Sequence, residues 1–305
     1  MGSFGAGDHQ YSLGEAQIIS NLMLFPVKAA STDPGPRFGT LEEGLSDGTV
    51  HITEPGYCHT RVDIKNDSAN DVFIIDGEGI AGGMQNRIAA ASMVISSRGS
   101  QEIPVYCSEH GRWSGSKSFA AANEIAYPKI RRLNTVARSS HQTVACIQSS
   151  VWREISRKQK SLNVNSRTQS MQDIYARKEP ELRHFQEYEP EPDQVGILAA
   201  TQKRILCIDI FYNHPLFGRF SKKLLISCAL ESIEDRDRGE GAFDDQRYKA
   251  FFRGAMTALP IAQASRQPSP GSESYYQART PGGHVLGKVL YYQSQAVHAS
   301  FFPSS

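Results

Sequence analysis

Two short polar blocks carry the residues best suited to chemistry. In DGEGIAGGMQNR, residues 76 to 87, Glu78 supplies a carboxylate, Gln85 and Asn86 two amides, and Arg87 a guanidinium. In CSEHGRW, residues 107 to 113, Cys107, Glu109, His110 and Arg112 follow an apolar run, with Trp113 beside them. A positioned carboxylate moves protons. A guanidinium grips a carboxylate or phosphate through paired donors. A thiol becomes a nucleophile where a base or a helix end lowers its pKa. Glu78, Glu109 and Cys107 are therefore the candidate catalytic residues. Gln85, Asn86, Arg87, Arg112 and Trp113 are the candidate substrate-binding residues. His298, in the apolar segment QAVHASFF, is added to them, although a core histidine suits its surroundings as well. Plainer readings stand beside these: an exposed loop for the first block, a buried small hydrophobe for Cys107, and arginines that merely pair with Glu78 and Glu109.

The first block also spells G-x-G-x-x-G through Gly77, Gly79 and Gly82. A dinucleotide loop needs a helix starting inside the motif and a parallel strand after it. Here the motif lies some seventy residues into a β-rich stretch, and Glu78 would put negative charge where a pyrophosphate belongs. The following RIAAASMVISSRGSQEIPVYC has turn residues at SRGS and strand-type flanks, which suit a hairpin at least as well as a helix. A P-loop is excluded, because no Lys-Ser or Lys-Thr follows the glycines. The glycines instead permit a left-handed, closely approached turn that presents the polar side chains. Cys107 and His110 have C-x-x-H spacing, but the other Cys and His pairs (Cys58 with His59, His141 with Cys146) are too scattered for a zinc set. No metal and no organic cofactor is expected. Nucleophile-elbow, zincin and kinase signatures are missing.

The elements that must position these residues read as follows. QIISNLMLFPV is an apolar run of strand length. Thr40 with Glu43 forms a capping box for a short helix closed by Gly48. RVDIKN, DVFIID, RIAAASMVIS and QEIPVYC are strands. Val136, Val144, Ile147, Val151 and Ile155 recur at helical spacing from 131 to 160, with Arg153, Arg157, Lys158 and Lys160 as a solvated basic face. A second helical piece lies near SRTQSMQDIYARK, and the acidic, proline-rich EYEPEPDQ is a connector. VGILAATQKRILCIDIF reads as two strands around a short turn. HPLFGRFSKKLLISCALESIED is expected to be helical in its second half. QRYKAFFRGAMTAL is a helix halted by Pro260, SRQPSPGSES is a loop, and HVLGKVLYYQSQAVHASFF is a closing hairpin. Strands at both ends with helices between predict an α+β fold of antiparallel and mixed sheets rather than a Rossmann fold. The expected organisation is a flexible segment over 1–14, then a single domain over 15–303 with a helical insertion at about 131–186.

Composition narrows the function classes. The chain has 305 residues, 39% hydrophobic and 21% charged, with a formal net charge of +1. That is enough chain for a large core and too balanced a charge for a dedicated nucleic-acid binder. No apolar run is long enough for a spanning helix, and the N-terminus lacks the basic-then-apolar pattern of a secretory leader. Five cysteines, an odd number spread over the chain, suggest reduced thiols and a cytoplasmic location.

The order LFPV, TLEEGLSDGTVHITE, VFIIDGEGIAGGMQNR, IPVYCSEHGRW, QSSVWREI, ILCIDIFYNHPLF and VHASFF resembles the family of ADP-ribosylglycohydrolase- and rhodanese-phosphatase-associated proteins. The resemblance covers residues 17 to 302 and is most specific in the GE…G-x-QNR and C-x-E-x-GRW blocks. It implies shared polar positions at Glu78, Gln85, Asn86, Arg87, Cys107, Glu109, Arg112 and Trp113. It names a domain of unknown function whose genomic company hints at nucleotide or ADP-ribose metabolism, and it identifies no reaction. The stretch near 262–278 and the EPEPDQ connector are read as features peculiar to this chain. The leading expectation is a cytoplasmic enzyme, hydrolase- or lyase-like, that acts on a small polar or anionic substrate by cofactor-free acid/base chemistry. A homo-oligomer is compatible with the sequence, whereas membrane and nucleic-acid partners are not expected. The alternative is a non-catalytic module that binds a nucleotide or ADP-ribose-type ligand.

Overall fold

The computed structural model describes residues 11–30, 35–56, 60–115, 118–139, 142–236, 245–262, 266–269, 272–279, 285–293 and 295–304. By contact the chain falls into two units, one of Met1–Pro36 with Phe185–Ser305, the other of Arg37–His184. Residues 1–10 and the Cys58–His59 pair lie outside the described residues, as does His141.

The first unit begins with β1 (Tyr11–Leu13), β2 (Gln17–Ile19) and β3 (Leu22–Ala29). Two expectations change here. Residues 11–13, expected to be flexible, form a strand paired antiparallel with β3. The run QIISNLMLFPV is not one strand but a hairpin, because Ser20 adopts φ 58° and turns β2 back onto β3.

The second unit carries β4 (Gly39–Thr40), α1 (Leu41–Ser46), β5 (Val50–Thr53), β6 (Arg61–Asn66), β7 (Val72–Ile74), β8 (Glu78–Gly82), β9 (Arg87–Ala89), β10 (Met93–Ile95), β11 (Ser100–Cys107) and β12 (Phe119–Ile125). The capping box forms as its spacing predicts: Glu43 N donates to Thr40 Oγ1 (3.2 Å) and Thr40 N to Glu43 Oε2 (2.9 Å). Six strands run in the order β12-β8-β9-β11-β6-β5, and three in the order β10-β7-β4. RIAAASMVIS is therefore two short strands, β9 and β10, that serve different sheets, and the hairpin expected across SRGS does not form, because β10 pairs with β7 while β11 pairs with β9 and β6. Among the described residues the one parallel pairing is β4 with β7, and a strand, not a helix, follows the glycines. The G-x-G-x-x-G spelling is a β8–β9 hairpin.

Helices then occupy residues 128 to 187: α2 (Pro128–Ser139), α3 (Val144–Ser161), α4 (Met171–Leu182) and a 3-10 turn at Arg183–Glu187. The helix expected over 131–160 is two, and Thr143 caps the second by accepting from Cys146 N. Lys158 does not join the solvated basic face. It is buried over the Tyr127 ring, 4.5 Å from its centroid.

Back in the first unit come β13 (Gln194–Thr201), β14 (Ile205–Phe211), α5 (His214–Arg236), α6 (Asp245–Ala262), β15 (Arg266–Ser269), β16 (Ser272–Arg279), β17 (Val285–Tyr292) and β18 (Gln295–Pro303). HPLFGRF is helical throughout, α6 continues past Pro260, and SRQPSPGSES lies largely in the β15–β16 hairpin rather than in a loop. The strands form one mostly antiparallel sheet, β1-β3-β13-β14-β18-β17-β16-β15, with β2 on β3. Tyr248, Phe251, Phe252 and Ala255 of α6 pack with Ile208, Ile210, Phe301 and Val289 in one core. On α5, Phe217 and Phe220 meet Phe211, and Cys228 Sγ lies 3.7 Å from Cys207 Sγ. Among the described residues, three separate sheets and segregated helices make the fold α+β. Among the described residues no helix is long and apolar enough to cross a membrane.

Gly82 has φ 113°, and a Cβ there would sit 2.3 Å from the carbonyl oxygen of Ser118, the residue just before β12. Gly82→Ala should cost at least about 2 kcal/mol through backbone strain and lost β8–β12 pairing. A urea melt against wild type measures it, and an unchanged midpoint would show that the hairpin can relax.

Candidate functional site

Strand pairing brings the two polar blocks together. Arg87 on β9 pairs with Ile80 on β8 and with Cys107 on β11. Directly paired residues project to the same face of a sheet, so Arg87 and Cys107 are side by side. Just beyond, Ser108 N donates to the Asn86 carbonyl (2.9 Å), joining the β8–β9 turn to the CSEHGRW loop.

A dense set of side-chain bonds then fixes the turn. Glu109 Oε2 accepts from Asn86 N (3.2 Å) and from Arg112 Nε (2.8 Å). Arg112 Nη1 donates to the carbonyls of Gly83 (2.8 Å) and Ser114 (2.9 Å), while Nη2 donates to Asn86 Oδ1 (3.0 Å) and the Gly82 carbonyl (3.5 Å). All five N–H groups of Arg112 are used inside the chain. Arg87 is fully buried. Its Nη2 donates to Glu54 Oε1 (2.9 Å), and its Nη1 to the Gln85 carbonyl. Glu54 Oε1 also accepts from Met84 N (3.2 Å).

Several participants are not among the residues that the sequence singles out. Gln148 of α3 accepts from Cys107 N (2.7 Å) and donates to the Cys107 carbonyl (2.9 Å), imitating one more strand residue. Gln172 accepts from Asn86 Nδ2 (3.3 Å) and from the Ser170 hydroxyl (2.7 Å). The Trp152 ring lies 4.3 Å from that of His110. Glu54, Gln148 and Trp152 lie in the TLEEGLSDGTVHITE and QSSVWREI segments of the resemblance and Gln172 in none of them, and only a pattern of matching polar partners could have tied them to the two blocks.

The sequence-predicted residues do not all converge. Gln85, Asn86, Arg87, Cys107, Glu109 and Arg112 form one cluster, and Trp113 stands half exposed next to Arg112 in the chain. Glu78 is elsewhere. It lies two residues beyond Ile80 on one side of the β8–β9–β11 row, and Glu109 lies two residues beyond Cys107 on the other. At about 3.4 Å per residue this leaves roughly 13 Å along the strands between them, too far for a paired acid and base. Glu78 is fully buried, and its Oε2 accepts from Ile75 N (3.1 Å), closing the turn at Gly77. Next to it Asp76 and Arg131, both fully buried, form an ion pair at 3.2 Å. His298 belongs to the other unit, where Nε2 meets Asp209 Oδ1 at 3.2 Å and the ring packs on Phe211. Cys107 is buried, and burial pushes its thiol pKa up, with Arg87 opposing and Glu54 reinforcing the shift. That favours the neutral thiol over the nucleophilic thiolate.

Two measurements follow from this geometry. Glu54→Gln should destabilise the protein by about 3 kcal/mol, the low end for a broken buried pair because Glu54 keeps 17% of its side chain exposed. The double variant with Arg87→Met should lose less than the sum of the singles, and additive losses in denaturant melts would show that the pair is not coupled. Iodoacetamide on the native protein at neutral pH should alkylate exposed Cys146 well before Cys107, and peptide mass spectrometry showing the reverse order would reinstate Cys107 as a reactive thiol.

Comparison with curated proteins and with solved structures found no match. A family model does match, over residues 10–302, and so spans both polar blocks and both units. The chain belongs to the ARG and Rhodanese-Phosphatase-superfamily-associated Protein (ARPP-1) domain family.

Proposed function

We propose that the protein is an enzyme that acts on a small polar or anionic substrate at the Glu109 cluster, by acid/base chemistry that needs no organic cofactor. The observation that carries this reading concerns Glu109. One carboxylate oxygen is held by the Asn86 amide and the Arg112 guanidinium, and among the described residues the other oxygen, Oε1, accepts no hydrogen bond. A carboxylate fixed through one oxygen, with the other left over, is the geometry a proton-transfer group needs. Arg112, with 25% of its side chain exposed, and half-exposed Trp113 give the same loop a cationic and an aromatic surface for substrate. Gln85 and Asn86 orient it. Glu78 and His298 have structural partners and are not part of the proposed chemistry. Cys107 lies under the site as a packed thiol. The near-neutral charge and the lack of a spanning helix among the described residues are compatible with a cytoplasmic enzyme whose partner is a small molecule, as a monomer or a homo-oligomer.

One observation favours a second reading. Arg112 has no N–H to spare for an anion, which suits a rigid, non-catalytic ligand-binding module. Glu109→Gln separates the two. A panel of nucleotides, ADP-ribose, sugar phosphates and carboxylates is incubated with wild type and variant, with turnover followed by mass spectrometry and binding by thermal shift. The enzyme reading expects roughly a 10²- to 10⁴-fold loss of turnover with binding retained. Unchanged turnover, or an effect on affinity alone, would replace it with the binding module.

A further inference from the structure

Around Gln85, three buried polar atoms have no hydrogen-bond partner among the described residues: Gln85 Oε1, Arg87 Nε and Trp152 Nε1. A chain of contacts links the three residues. Arg87 Nη1 donates to the Gln85 carbonyl, Gln85 Nε2 donates to the His110 carbonyl (3.5 Å), and the His110 ring packs on Trp152. Gln85 and Arg87 are both fully buried. Leaving a buried polar atom unpaired costs more than a made bond returns, so three in one neighbourhood call for a partner from outside the chain.

The chemistry of that partner can be read from the three atoms. The Gln85 amide orientation is set by its neighbour, since only an NH2 group can face the His110 carbonyl. Oε1 is therefore an acceptor that needs a donor. Arg87 Nε and Trp152 Nε1 can only donate, so each needs a lone pair. A carboxylate has lone pairs but no hydrogen for Gln85, and an ammonium has hydrogens but no lone pair. A carbonyl beside an N–H has both. Charge agrees, because Arg87 is already balanced by Glu54 and Arg112 by Glu109, which leaves no unmatched arginine for an anion.

We propose that the substrate of this site carries a neutral amide, lactam or urea group that docks on Gln85, Arg87 and Trp152. The proposal rests on the reading of the Glu109 cluster as the site and narrows its substrate class. His110 is the side chain able to make way. It is exposed, and among the described residues its imidazole has one hydrogen-bonding neighbour, Gln169 Oε1 at 3.3 Å.

The test uses matched probes, with acetamide, urea and benzamide set against acetate and benzoate, in thermal shift and calorimetry on the full chain. Gln85→Met removes the acceptor, and Trp152→Phe removes one donor while keeping an aromatic ring for His110. The amides should raise the melting temperature and the carboxylates should not. Each substitution should weaken amide binding at least tenfold, while the unliganded variants melt close to wild type. A response to carboxylates alone, lost in Arg112→Met, would leave the Glu109 site standing and overturn the amide assignment. No response to any amide overturns it as well, whatever Glu109→Gln does to turnover. Unliganded variants that are both clearly less stable than wild type, with amide affinity unchanged, would show that ordered water fills the three positions, and that too removes the proposal.

Discussion

The geometry of the second unit's site depends on how the buried charge of Arg87 is accommodated. A guanidinium without water is tolerated only if a carboxylate and further acceptors surround it. Glu54 supplies the carboxylate and the Gln85 carbonyl a further acceptor. Glu54 also takes the Met84 amide, so one carboxylate ties β9 to the turn that precedes it. The turn in turn presents Asn86 to Glu109 and Arg112. Loss of the first pairing would therefore reach a carboxylate that Arg87 does not touch.

The network is also close to fully used. Arg112 spends every donor on the chain, and the Gln148 side chain completes β11 as if it were one more strand residue. Such a site is held by many weak bonds between short loops, which together give geometric precision. The bonds left unmade are consequently few and local, and they lie around Gln85 and at one oxygen of Glu109. In the first unit the polar interior follows the same rule in a simpler form. Asp209 lies at the centre of a sheet, and His298, two residues along from its cross-strand partner Ser300, meets its charge.

Much of this was legible before any coordinates. The α+β class, the capping box at Thr40, the turn character of the glycine-rich block and the closing hairpin all follow from local patterns of period, turn residues and caps. The membership of Gln85, Asn86, Arg87, Glu109 and Arg112 in one cluster could be suspected from two polar blocks that each adjoin an apolar strand. Errors arose where tertiary contacts overrule local preference. Helix α6 runs past Pro260, Arg266–Ser269 pairs with Ser272–Arg279 where a loop was expected, and Lys158 points inward onto Tyr127.

The sequence by itself determined which residues are polar in apolar company, where the turns fall and which family the chain resembles, because these are properties of neighbours along the chain. Tertiary structure alone decided which polar residues meet. Glu78 and Glu109 look equivalent in sequence, each a carboxylate beside a strand. Antiparallel pairing sends them to opposite ends of the β8–β9–β11 row, one to close a turn at Gly77 and the other to meet Arg112. The partner of Arg87 comes from a residue thirty-three positions away, and the aromatic neighbour of His110 comes from a helix. A contact of that kind depends on strand register and helix docking, and one-dimensional spacing carries no record of either.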